Sequence, residues 1–137
     1  MICIAFDLIP NPFEAVDQII KLGFKRILTS GQETNALQGI HLISELQKLA
    51  EKRIIIMPGS GITTSNLKTI LSETQVSEFH ASASSVFKSK IIKRSEKAKM
   101  GNDKEKDEFE WKVCDQNKVK QLISIAKNFS TTLILQF

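Results

Sequence analysis

The sequence predicts an α/β protein of the (β/α) TIM-barrel type, in which short strands alternate with helices. Short β-like runs recur along the chain, and segments with apolar residues at helical spacing follow them, as in βαβ units of a parallel sheet. The first and last of these runs each have an apolar face and a face with polar groups toward the carboxyl end, as at the mouth of a barrel. An open doubly wound sheet is the alternative, because alternation alone does not show closure.

The first two strand–helix units are expected within residues 2–52. A strand-like run at 2–7 precedes a Pro-Asn-Pro turn and a helical pattern that stops at Gly23. Residues 26–31 then form a strand that ends in Ser-Gly. The segment 36–52 follows with one apolar helical stripe, made of Leu37, Ile40, Ile43, Leu46 and Leu49.

The other two units are expected between residue 53 and the end of the chain. A strand and glycine turn at 53–61 leads into a helix that begins at Thr63 or Thr64, since either hydroxyl can cap free N–H groups. A fourth strand is predicted at 78–82, and a last helix after Asp115, a favourable N-cap. The apolar tail at 131–137 is strand-like, and no partner for it follows from the sequence.

Composition is that of one soluble globular domain over residues 1–137, with 42% hydrophobic and 25% charged residues. No apolar run is long enough to span a membrane, so no membrane association is expected. The first residues lack a basic region and a cleavage site of the secretory type. Cys3 and Cys114 lie too far apart in sequence for a CxxC motif, which together with the missing signal favours a reducing, cytoplasmic location.

Most of the net charge of +4 comes from one segment. Residues 88–108 carry eight Lys or Arg and five Asp or Glu, a difference of +3. Few apolar residues accompany these charges, which indicates a solvated and flexible segment over 88–110. No aromatic residue is interleaved with the lysines, so nucleic-acid binding is not expected.

Four motifs in this order resemble the copper homeostasis protein CutC family: AFD at 5–7, GFKRILTSG at 23–31, IIIMPGSGI at 54–62 and EFHASA at 78–83. The resemblance implies a TIM-type barrel of which this chain holds the last four βα units, a partial barrel. It also implies a role in copper homeostasis, with a copper(I) ion as ligand and no demonstrated catalysis. A partial barrel leaves the first and fourth strands with unpaired edges, so the isolated chain is expected to be a homo-oligomer or else poorly folded.

The resemblance is incomplete at the N-terminus. The family usually has Thr-Phe-His-Arg before the Ala-Phe-Asp motif, whereas this chain begins Met-Ile-Cys-Ile. Cys3 therefore stands where the family has histidine, and a thiolate is a suitable copper(I) ligand. The family's copper-linked cysteines lie in strands that this chain lacks. Cys3 and Cys114 could each supply a thiolate or be unreactive buried cysteines, and Cys3 is the candidate metal ligand.

The glycine turn formed by Gly59, Ser60 and Gly61 has two interpretations. Glycines let a backbone approach a phosphate closely, and a helix N-terminus behind them supplies N–H donors. Alternatively, the turn is a tight strand-to-helix connection that needs positive φ angles. The resemblance places it in the seventh unit of a barrel, where phosphate sites are common.

Four polar groups and a glycine lie near the predicted strand ends. His80 is a candidate metal ligand, proton shuttle or anion anchor, or a structural histidine. Asp7 is a candidate general base or cation partner, or caps the following turn. Ser30, Gly31 and Ser82 are expected at the same mouth.

Two hypotheses from different classes follow. The first is a copper(I)-binding CutC-like protein without catalysis, with Cys3 as metal ligand. The second is a barrel enzyme that acts on a small anionic or phosphorylated substrate. Its binding residues would be Asp7, Ser30, Gly31, Gly59, Ser60, Gly61, His80 and Ser82.

Overall fold

The computed structural model describes residues 4–91 and 109–134. Over these residues the protein is mixed α/β, as predicted. In chain order the elements are a 3₁₀ helix (Ile4–Leu8), α1 (Pro12–Lys21), β1 (Arg26–Thr29), α2 (Ile40–Ala50), β2 (Ile55–Pro58), α3 (Leu67–Thr74), β3 (Glu78–His80), β4 (Ser84–Lys88), β5 (Glu110–Cys114), α4 (Gln116–Lys127) and β6 (Thr132–Ile134).

The described strands pair two by two. β1 pairs with β2 in parallel, β3 pairs with β6 in parallel, and β4 and β5 form an antiparallel ribbon. β2 also lies beside β3. An ion pair between Arg26 Nε and Glu78 Oε2, at 2.7 Å, joins the first residues of β1 and β3. At the other end Gly59, which follows β2, lies beside His80, the last residue of β3. These two contacts show that the three strands run the same way, with their carboxyl ends at one edge. Closure into a partial barrel stays a prediction.

Helix α1 is confirmed and ends before Gly23 as predicted, and it begins at Pro12, within the predicted turn. The Asn11 side chain accepts a hydrogen bond from the Glu14 N–H at 3.3 Å, and Pro12 occupies the first helical position, where its missing N–H costs nothing. Val16 and Ile19 are buried on one stripe. Gly23, at a φ of +84°, then turns the chain into β1.

The predicted first strand is wrong over the residues that the structure describes. Residues 4–8 form a 3₁₀ helix, with the Ile9 N–H donating to the Phe6 carbonyl at 3.2 Å, whereas residues 2 and 3 lie outside the description. Phe6 is fully buried and Asp7 binds the loop after β1. These tertiary contacts decide the conformation, because so short an apolar run fits helix and strand alike.

Both α2 and α3 begin later than predicted. Ahead of α2, the Gln38 N–H donates to the Asn35 side chain at 3.1 Å and closes a turn. Part of the segment 36–52, which the sequence predicts to be helical, therefore lies in this turn, and the helix begins at Ile40. Ahead of α3, the Asn66 side chain accepts from the Thr63 N–H at 2.8 Å and donates to the Gly61 carbonyl at 2.9 Å. The predicted start at Thr63 or Thr64 is therefore wrong, because Asn66 holds residues 61–66 in a turn.

The apolar tail finds its partner in β3. The Thr132 N–H donates to the Ser77 carbonyl at 2.9 Å, and the buried Thr131 hydroxyl donates to the Val76 carbonyl at 3.1 Å. Strand β6 then runs parallel to β3 in the register Glu78 to Thr132. The expectation that the fourth strand has an unpaired edge is thus wrong on this side.

The core lies between these strands and a row of helices. α1 contacts α2, α2 contacts α3, and α3 contacts α4. Their buried side chains meet those of the strands in one apolar cluster, whose largest fully buried members include Phe6, Phe79, Ile27, Ile43, Leu46, Ile56, Leu67, Ile70 and Leu122. Within the described ranges, no helix has the length and apolar character needed to cross a membrane.

The charged segment begins and ends in the antiparallel ribbon. Lys88 lies opposite Glu110, and their side chains form an ion pair at 2.7 Å. Most of the segment lies outside the described residues, so its predicted flexibility stays a prediction. The ribbon leads directly into α4, whose first turn is capped by Asp115 as predicted: its Oδ1 accepts from the Asn117 N–H at 2.9 Å.

Candidate functional site

The Asp7 carboxylate holds the 3₁₀ helix against the loop that follows β1. It accepts hydrogen bonds from the Ser30 N–H at 2.9 Å, from the Gln32 N–H at 3.1 Å, and from the hydroxyls of Thr29 and Ser30. It does not cap the turn before Pro10, which was one of its predicted roles. A cation or an abstracted proton at Asp7 would have to compete with these donors.

Ser30 and Gly31 are packed inside this loop. The Ser30 hydroxyl lies 2.6 Å from the Glu33 carbonyl and 3.2 Å from Asp7 Oδ2, and the residue is only 9% exposed. A Cβ atom on Gly31 would lie 2.3 Å from the carbonyl oxygen of Gly39. Gly31 is therefore required by the close approach of two backbone segments.

The glycine turn after β2 is joined to the same loop. The Gly59 N–H donates to the Thr29 carbonyl at 2.9 Å, and the Ser60 hydroxyl donates to the Thr34 carbonyl at 3.0 Å. Ser60 and Gly61 have φ angles of +74° and +67°. These contacts match the tight-turn interpretation, and ligand contact at these residues stays a prediction.

His80 and Ser82 lie near the end of β3, but in different surroundings. His80 is half-buried beside Gly59, where a Cβ atom on the glycine would come within 3.5 Å of the imidazole Cδ2. Ser82 is exposed, and its hydroxyl lies 3.3 Å from that of Ser84. The predicted site residues thus divide into a hydrogen-bonded group at the ends of β1 and β2, which His80 adjoins at Gly59, and the separate Ser82 after β3.

A cavity of about 200 Å³ lies where the loops after β2 and β3 meet the start of α4. Ser82 is the one predicted site residue in its wall. The remaining lining residues are Ile62, Thr63, Thr64, Ala83, Ser84, Lys118 and Leu122. Sequence reasoning treated Thr63 and Thr64 as helix caps only and did not select Ser84 or Lys118. The sequence held one signal for these residues. Thr63, Thr64 and Ser84 follow predicted strands, and Lys118 lies in the first turn of a predicted helix.

Asp115 fixes the helix that contributes Lys118 to this cavity. The Ser85 hydroxyl donates to Asp115 Oδ2 at 2.7 Å, and the Lys118 N–H donates to Oδ1 at 3.2 Å. The Ser85 hydrogen bond, followed by that from the Lys118 backbone, lowers the pKa of the Asp115 carboxyl. An ionised Asp115 therefore stabilises the first turn of α4.

The described soft metal ligands are dispersed. Cys114 is an exposed thiol at the end of β5, whereas Cys3 lies outside the described residues. His41 is exposed on α2, 3.8 Å from Glu45. Within residues 4–91 and 109–134, no three or more His, Cys, Asp and Glu side chains are grouped so that they could hold a metal ion.

Comparison with known proteins gives one consistent result. The model of the CutC family matches residues 2–85. A CutC family protein of Parabacteroides distasonis is 49% identical over 119 residues, which are 87% of this chain and 49% of that protein. A human protein described as a copper homeostasis protein cutC homolog is 43% identical over 124 residues, 90% of this chain and 45% of its own. The chain thus spans about half the length of these relatives.

A solved structure supports the same assignment at the level of the fold. The crystal structure of CutC from Streptococcus agalactiae aligns with a TM-score of 0.54 and 38% sequence identity. The aligned region covers 57% of this chain and 39% of the other. The mixed α/β arrangement of the aligned part is therefore shared between the two proteins.

Proposed function

The chain belongs to the CutC family, and on that premise we propose that it takes part in copper homeostasis by binding copper(I). The observation that carries the proposal is the similarity to the human copper homeostasis homolog, which extends over 90% of this chain at 43% identity. The relative's copper role is carried over as a proposal because only about half of that protein is represented here.

Copper(I) prefers soft ligands, of which thiolates are the strongest that a protein offers. This chain has two cysteines, Cys3 and Cys114. Cys114 lies in an exposed strand, and the described residues group no three metal-ligating side chains around it. We propose Cys3 as the ligand on which copper binding depends, because it stands in the position of a family histidine and offers a thiolate there.

The test is a titration of the fully reduced protein with copper(I) under anaerobic conditions, in competition with a coloured copper(I) chelator. We expect the wild-type chain and Cys114→Ser to retain copper, and Cys3→Ser to bind at least about tenfold more weakly, since loss of one thiolate costs more than the 1.4 kcal/mol that a tenfold change represents. The Cys114→Ser variant is the matched control, because it removes a thiol at the other end of the chain.

Two results would contradict the proposal. Loss of all copper from the wild-type chain to the chelator would leave the family's copper role to parts of the relatives that this chain does not cover. Equal retention by both serine variants would show that neither thiolate is the ligand on which binding depends.

A further inference from the structure

Beyond the copper role, we propose that the cavity between the loops after β2 and β3 and the start of α4 binds a small oxyanion of the phosphate type. The anion is either free or the phosphoryl group of a small organic molecule. The proposal is independent of copper, because hydroxyl and ammonium groups are poor ligands for copper(I). It also differs from the anion site expected from the sequence, with which it shares only Ser82.

The chemistry of the cavity wall carries the proposal. Four of its lining residues carry a hydroxyl group and one carries an ammonium group, namely Thr63, Thr64, Ser82, Ser84 and Lys118, and none of them is acidic. Hydroxyl and ammonium groups are hydrogen-bond donors, and an ammonium adds the charge that strengthens a bond to an anionic oxygen. A neutral or cationic ligand would find no charged acceptor in this wall.

The Lys118 ammonium group is held beside the cavity by one hydrogen bond and has further N–H donors available. Lys118 Nζ donates to the Ser84 carbonyl at 2.6 Å, which fixes it beside one of the lining serines. An ammonium group has three N–H donors, so two stay available for a ligand. The nearby Asp115 carboxylate does not line the cavity, and it accepts hydrogen bonds from the Ser85 hydroxyl and from the first turn of α4.

The hydroxyl groups are also available. Ser82 Oγ and Ser84 Oγ lie 3.3 Å apart and bond to each other, and Thr63 Oγ1 lies 2.8 Å from Ser65 Oγ. In each pair the hydrogens can rotate toward an incoming oxyanion. The Thr64 hydroxyl makes no hydrogen bond to the described part of the chain, although it lines the cavity. The lining residues thus bring several hydroxyl donors and one ammonium group to one space with no carboxylate among them, while the Lys118 charge also interacts with the Asp115 carboxylate outside the cavity.

The size of the cavity limits the ligand. About 200 Å³ is smaller than the pockets of roughly 300 Å³ or more that enclose drug-sized molecules. A tetrahedral oxyanion fits this limit, with any organic group extending out of the opening. The lining has no imidazole, carboxylate or thiol to act as a general base, so we propose binding and not catalysis.

The test measures thermal stabilisation of the full chain by inorganic phosphate and by glycerol 3-phosphate, against sodium chloride at the same ionic strength. We expect saturable stabilisation by phosphate, with a Kd about tenfold or more higher in Lys118→Met, because a hydrogen bond to a charged group contributes at least the free energy of a tenfold change. Lys120→Met is the matched control: it removes an exposed lysine of the same helix that does not line the cavity.

A second variant covers the case in which Lys118→Met does not fold. Ser82→Ala removes an exposed hydroxyl whose partner is Ser84, and it should weaken phosphate binding without loss of structure. Tighter binding of glycerol 3-phosphate than of phosphate would identify an organic phosphate as the ligand, and equal binding would identify the free anion. Stabilisation no greater than that by chloride, or equal affinity in the Ser82, Lys118 and Lys120 variants, would overturn the proposal.

Discussion

At the scale of single residues, a few polar and small side chains determine how the loops at the carboxyl ends of β1 and β2 are arranged. Asp7 gathers N–H and hydroxyl donors of the loop after β1, and Gly31 lets that loop cross the backbone at Gly39. The glycine turn after β2 is bonded to the same loop. These residues therefore build the framework beside which the hydroxyl-lined cavity lies.

The first prediction concerns Asp7. Asp7→Ala removes an acceptor shared by four donors, and we expect the free energy of unfolding to fall by about 3 kcal/mol. Hydrogen bonds to charged groups are the strong ones, and the Thr29 hydroxyl and Ser30 N–H would lose this acceptor, whereas the Ser30 hydroxyl keeps the Glu33 carbonyl. The control is Asp17→Ala, whose surface ion pair with Arg53 contributes less than about 1 kcal/mol. Urea titrations measure both, and equal losses would contradict the assigned role of Asp7.

The second prediction separates a steric clash from backbone strain. A Cβ atom on Gly39 would lie 2.0 Å from the Ser30 carbonyl oxygen, so Gly39→Ala should lower the free energy of unfolding by about 3 kcal/mol or more. A Cβ atom on Gly23 would have no neighbour within 4 Å, but the φ of +84° disfavours alanine by about 1 kcal/mol. Denaturant unfolding that shows the larger loss for Gly23→Ala would contradict the close approach of the two loops.

At the scale of elements, the helices follow from the sequence more completely than the strands. The Gly23 stop after α1, the Asp115 cap and the apolar stripe of α2 from Ile40 onward are local signals, and the structure confirms a helix at each, whereas Leu37 lies ahead of α2 and is exposed. The conformation of residues 4–8 and the partner of the tail depend on distant contacts, namely Asp7 with Ser30 and Thr132 with Ser77. Short apolar runs carry no information about such partners, which is why both were missed.

The cavity shows the same division between local and distant information. Ser82 was selected because it ends a polar strand face, which is a local pattern. Lys118 belongs to a helix that begins more than thirty residues later, and only the fold brings its ammonium to the Ser84 carbonyl. Lys118 is a site residue because α4 begins beside the loop after β3, and the sequence alone does not predict that contact.

The third prediction concerns the pH dependence of α4. The pKa of Asp115 is lowered in the folded chain, so its ionised form adds stability above the ordinary aspartate pKa of about 3.9 and loses it as the pH falls through the folded value. Asp115→Asn keeps a cap oxygen but cannot titrate. The wild-type advantage in Tm over Asp115→Asn should be constant at neutral pH and shrink below about pH 4. An advantage that grows on acidification would contradict this.

At the scale of the whole molecule, β1, β2 and β3 direct their carboxyl ends to one edge, and the loops of the family motifs meet there. Oligomerisation of the chain stays a prediction, which rests on unpaired strand edges. Among the described strands, β1 pairs only with β2, and the 3₁₀ helix lies beside β1. We therefore expect light scattering to give a mass above the 15.4 kDa of one chain, and a monomer at all concentrations would contradict the expectation.

The central claim is that this CutC family chain binds copper(I) through a thiolate. The most direct measurement is copper K-edge X-ray absorption of the reduced chain loaded with one equivalent of copper(I), compared with Cys3→Ser prepared in the same way. We expect copper–sulfur scattering in the wild-type chain that is lost or strongly reduced in the variant, because thiolate sulfur is the preferred ligand of copper(I). Scattering from nitrogen and oxygen alone in the wild-type chain would contradict the claim.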